Sequence, residues 1–124
     1  MLTIKNILLV GLGGMIGTIL RYSIVMLLGQ NTFPLATFLI NIAGSFIIGI
    51  IFGITLHTSG GNWVKLFFAT GICGGFTTFS AFSIENVELL QQEKYLVAAT
   101  YITGSIVFGI AAAFAGFWLT KNYY

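Results

Sequence analysis

Between Tyr22 and Val64 the chain carries no Lys, Arg, Asp or Glu. A soluble domain cannot be built that way, because its surface needs a charged coat, and only 6% of the whole chain is charged. With 57% of the residues apolar, the surrounding medium has to be lipid. Four apolar runs, about residues 4–28, 34–56, 64–90 and 96–119, have the roughly 20-residue length that crosses a bilayer core of about 30 Å. The short polar connectors "GQNTF", "HTSGGN" and "QQEKY" separate them and imply antiparallel neighbours. The expected fold is therefore an all-α membrane protein, with residues 1–124 forming a single domain of four transmembrane helices and both termini on one side. The first run is too long for a signal-peptide core, has no small-residue cleavage site and contains Arg21, so it reads as a retained span.

Counting connectors alternately, Lys5, Lys65 and Lys121 fall on one side of the membrane, with Lys94 on the other and Arg21 near it. Orientation follows the Lys/Arg excess close to span ends, and here that excess is small. Such a chain either holds one orientation on few charges or inserts in both. Five scattered cations make no basic patch, which argues against nucleic acid as a partner. His57 has no ligand or base at a useful spacing, no phosphate loop or nucleophile motif is present, and catalysis finds no support. The lone Cys73 excludes an intrachain disulfide and reads as a small packing residue.

Small residues recur at helical spacing in every span, as in Gly13 with Gly17, Gly49 with Gly53, Gly71 with Gly75, and Ala112 with Gly116. In lipid, such pairs let backbones approach closely. A thin bundle has little interior, so its polar side chains either line a water-filled path or meet a partner chain. Thr37, Asn41 and Ser45 share one face of the second span, and Tyr101 and Ser105 are one turn apart in the fourth. Each row fits an interhelical hydrogen-bond seam or a line of uncharged donors facing a pore. Arg21, inside the first span, is either a snorkelling structural residue or part of an electropositive vestibule.

The segment "GICGGFTTFSAFSIE", residues 71–85, is the strongest local signal. Gly74, Gly75, Thr77 and Thr78 make a poor helix interior, which predicts a break of the third helix over residues 74–78. Carbonyls freed at such a break suit a bare cation such as Na⁺. Beyond it, Phe79, Phe82 and Glu85 recur every three residues along the resumed helix. The Phe pair reads as core or as ring edges offered to an anion; Glu85 reads as a solvated cap near the span end or as part of the path.

These residues resemble the small four-span fluoride channels of bacteria, the Fluc or CrcB family. The resemblance rests on "GGMIGTILRY", "LINIAGSFIIG" and above all "GGFTTFSAFSIE", and it runs along essentially the whole chain. It implies an antiparallel, dual-topology homodimer in the bacterial inner membrane, with two pores that lower cytoplasmic fluoride passively. It further implies that Gly74 and Thr77 of both subunits give backbone carbonyls to a central structural Na⁺. By the same resemblance, Phe79 and Phe82 would form an aromatic box for fluoride, Asn41 a pore-lining donor, Arg21 a vestibule residue and Glu85 a pore-side carboxylate. Tyr101, Ser105 and Thr37 match lining positions of the same path. Thr18 stands where the family pattern has alanine, and Gly109 where it has a hydroxyl.

Two other classes share parts of this pattern. A small multidrug or cation exporter of dual topology has a similar length, but it needs an acidic proton site in its first span, and none lies between Met1 and Leu28. A structural membrane subunit would use the polar faces only for docking, and its solubilised mass would show an obligate heteromer.

Overall fold

The computed structural model describes residues 1–122. It contains helices α1 (Ile4–Leu28), α2 (Leu35–Thr55), α3 (Asn62–Val64), a π-helical segment (Lys65–Cys73), α4 (Gly74–Phe76), α5 (Phe79–Gln91) and α6 (Tyr95–Thr120). Four stretches are long and apolar enough to cross a membrane: α1, α2, the composite Asn62–Gln91, and α6. Among the described residues there is no β-strand.

Local chemistry sets the ends. The Thr3 hydroxyl accepts from the Asn6 amide at 3.2 Å and caps α1. At its other end Gly29 adopts φ 66° and ψ −165°, a region open essentially to glycine alone. Pro34, which has no N–H to leave unpaired, precedes α2. At the end of α5 the Lys94 amide donates to Leu89 and the Glu93 amide to Leu90, a Schellman pair. Glu93 takes the left-handed φ of 57° where glycine is usual.

The helices pack as two intimate pairs. α1 lies against the π-helical segment and α4, where a Cβ on Gly17 would overlap the Ile72 carbonyl and one on Gly75 the Gly14 carbonyl. α2 lies against α6, where a Cβ on Gly49 would overlap the Ala113 carbonyl and one on Gly116 that of Phe46. Close backbone approach maximises dispersion contact, the attraction that remains when solvent is as apolar as the side chains. Little lies inside: Tyr101 and Ile40 are the largest fully buried side chains, while Ile19, Phe108 and Phe114 face outward. Such inversion is the expected surface of a lipid-facing bundle.

The third span is broken, but more narrowly than its glycines predict. Gly74 is helical, with φ −63° and ψ −38°, and helix continues to Phe76. Only Thr77 (ψ 156°) and Thr78 (ψ 115°) are extended. Gly75 is small because α1 crosses there, so the two threonines rather than the glycines form the break.

Candidate functional site

The break exposes backbone groups at membrane depth, and side chains from two other spans reach in to meet them. Asn41 of α2 pairs with the peptide of Thr78 in both senses: its Oδ1 accepts from the Thr78 amide at 2.8 Å, and its Nδ2 donates to the Thr78 carbonyl at 3.1 Å. Arg21 of α1 donates through Nε to the Gly75 carbonyl at 3.1 Å. The Thr78 hydroxyl caps α5 by accepting from Ala81 at 3.1 Å, and the Thr77 hydroxyl folds back on the Cys73 carbonyl at 2.8 Å. Gly44 of α2 leaves just enough room for the Thr77 methyl group. The Thr77 amide donates to Cys73 and the Thr78 amide to Asn41, so neither is spent on the Gly74 carbonyl, and among the described residues no backbone N–H donates to the carbonyl of Thr77.

From the break, α5 carries a face of rings and oxygens. The Phe79 ring, 77% exposed, lies 5.6 Å from that of Phe82. Phe82 in turn meets the Tyr101 ring edge-on at 5.0 Å. One turn on, both carboxylate oxygens of Glu85 accept from hydroxyls, Oε1 from Thr37 at 2.5 Å and Oε2 from Tyr101 at 2.7 Å. Glu85 is therefore a half-buried carboxylate clamped between α2 and α6, not the solvated cap that its place near a span end suggests. Ser105 does not bond its own helix; its buried Oγ has no partner among the described residues.

Two cavities flank Thr78, which lines both. The larger, about 470 Å³, is bounded by Arg21, Thr37, Glu85, Glu88 and Lys94. The smaller, about 360 Å³, is an open groove lined by Asn41, Ser45, Gly74, Thr77 and Phe79. The second-span row is divided between the two cavities: Thr37 holds Glu85 at the larger, while Asn41 holds the break and lines the groove with Ser45. Among the described residues, the groove has no charged residue in its lining, whereas the larger cavity is walled by Arg21, Lys94, Glu85 and Glu88.

Sequence reasoning had no sight of two participants. The Gly75 carbonyl is invisible in a sequence, because every residue has one. Asn86, buried in α5 one turn beyond Phe82, was legible only as an amide in an apolar span.

Residues 8–117 match the family model described as "CrcB-like protein, Camphor Resistance (CrcB)". Similar proteins are found in several bacteria, each named "Fluoride-specific ion channel FluC". One from Azobacteroides pseudotrichonymphae is 45% identical over 95% of this chain and 98% of its own length. One from Flavobacterium psychrophilum is 43% identical over 95% and 98%, and one from Phocaeicola vulgatus 40% over 94% and 99%.

Proposed function

Since the chain belongs to the CrcB-like family, we propose that it is a fluoride-specific ion channel that lets fluoride leave the cell passively. Its role is transport rather than catalysis, in the inner membrane of a bacterium, which it crosses several times. One observation carries the mechanism: the break presents an exposed Phe79 ring beside Phe82 and the Asn41 amide, at the wall of an open groove.

Fluoride is small and strongly hydrated, so a selective path must replace water with donors that do not bind too tightly. The electropositive edges of Phe79 and Phe82 and the second amide hydrogen of Asn41 are donors of that moderate kind. Ser105, whose buried hydroxyl lacks a protein partner, continues the series, while Tyr101 and Thr37 give their single hydroxyl hydrogens to Glu85 and so border the path through that carboxylate. Arg21 sits in the wall of the larger cavity, where it and Lys94 offset the carboxylates of Glu85 and Glu88 that would otherwise repel an entering anion. Glu85 faces the same cavity, and its two hydroxyl partners hold its carboxylate in place.

The pore is half-built in one chain. Gly74 and Phe79 are exposed at the groove, and a second copy in the opposite orientation would cover them and complete two paths. The carbonyls of Gly74 and Thr77 would then meet their counterparts around a structural Na⁺. The donor set fits: it is neutral, consists of oxygens and lacks backbone partners. Among the described residues no cluster of His, Cys, Asp or Glu offers a competing metal site.

Fluoride efflux from proteoliposomes, with a potassium ionophore balancing charge, tests the reading. Wild-type protein should empty the vesicles, and Phe79→Ile or Phe82→Ile should slow or stop the efflux. A silent wild type, or ring variants with unchanged flux, would overturn the proposed path.

A further inference from the structure

Asn86 is 7% exposed, and its half-satisfied amide lies in the interior of a membrane helix. Its Nδ2 donates to the Phe82 carbonyl at 2.8 Å, while Oδ1 is buried with no partner among the described residues. The orientation is forced, because a carbonyl can only accept and so must face the amide nitrogen. Phe82, Asn86 and Leu89 line one face of α5, and Phe82 packs on the buried cluster of Leu89, Ala98 and Tyr101.

An apolar residue of the same shape would remove the orphan oxygen and its desolvation penalty, so stability does not account for an amide here. What the amide adds is a second hydrogen bond at the one carbonyl that belongs to Phe82. We propose that Asn86 is a positioning residue for Phe82: its N–H fixes the backbone from which the ring meets both Phe79 and Tyr101. The inference rests on the reading of Phe82 as a pore residue.

Three variants test it in the full-length protein by fluoride efflux, alongside the thermal midpoint and the dimer fraction in detergent. Asn86→Leu keeps the volume and loses the bond, and its flux should fall roughly five- to tenfold, the size of one hydrogen bond. Asn86→Thr should restore near wild-type flux, since hydroxyls in this protein donate to the carbonyl four residues back, as Ser83 and Thr100 do. Asn86→Met also lacks a donor, with a more adaptable side chain, and should be as slow as the leucine variant, which covers the case in which leucine prevents folding. The dimer fraction should stay constant, and no variant should fall below the wild-type thermal midpoint, since losing the orphan oxygen offsets the lost hydrogen bond. Wild-type flux in the leucine or methionine variant, no rescue by threonine, or losses that track a falling midpoint would each overturn the positioning role. A silent wild type would instead remove the channel reading itself.

Discussion

At the scale of single residues, the polar side chains of this bundle hold backbone and one another before they touch any ion. Asn41 illustrates this: its amide closes a two-way pair with the Thr78 peptide and keeps one hydrogen for the groove. Asn41→Asp replaces the donor to the Thr78 carbonyl with a second acceptor and brings negative charge to the proposed anion path. Fluoride efflux should stop and the thermal midpoint should fall, whereas unimpaired efflux would move the path away from Asn41. Tyr101, fully buried, gives Glu85 one of its two hydroxyl partners. Tyr101→Phe keeps the ring packing and removes that bond, so the loss of stability should be about 1.5–3 kcal/mol, the range for hydrogen bonds to a charged group. Denaturation in detergent measures it; a variant as stable as wild type would mean that Thr37 alone suffices. Residue types and spacing showed that Thr37, Asn41, Tyr101 and Ser105 are donors on shared faces. Their partners were out of reach, because Glu85 comes 48 residues after Thr37 in the chain and meets it only through folding.

At the scale of elements, two features make opposite predictions. Glu93 occupies a left-handed position that strains any residue with a Cβ, and glycine there relieves about 1 kcal/mol. Glu93→Gly should therefore raise the thermal midpoint without altering flux, and a lowered midpoint would show that the glutamate side chain contributes a contact of its own. Gly17 is the reverse case. An added methyl would meet the backbone of Ile72 and Phe76, which cannot yield without parting α1 from the broken span. Gly17→Ala should lower stability by several kcal/mol, at the upper end for overpacking, which is typically about 1–3 kcal/mol, and reduce folded protein recovered from membranes. Recovery at wild-type level would show that the helices can separate at little cost. The glycine pattern announced close packing correctly. It also suggested a break at residues 74–78, whereas Gly74 and Gly75 remain helical and only Thr77 and Thr78 unwind. One residue type serves both purposes, so sequence could not separate a glycine that lets helices touch from one that lets a helix end.

At the scale of the whole molecule, the protomer has an open groove, an exposed Phe79 and carbonyls without backbone partners on one face. If a second copy and Na⁺ cover that face, exchanging Na⁺ for a bulky organic cation should lower both thermal midpoint and dimer fraction in detergent. Equal values in the two media would remove Na⁺ from the structure. Cross-linking through a cysteine placed at Phe79, in a background with Cys73 replaced, should trap dimers if the groove is the interface.

Lipid explains the division between what the sequence determined and what folding decided. Without water, a chain must satisfy its hydrogen bonds internally, so long apolar runs have to become helices, and length, charge gaps and connectors made the four spans legible. The same requirement makes every interruption depend on distant partners. Where the third span opens, the Thr78 peptide is met by Asn41 and the Gly75 carbonyl by Arg21, residues 37 and 54 positions away. Only the tertiary structure could show which carbonyls those side chains satisfy and which remain available at the groove.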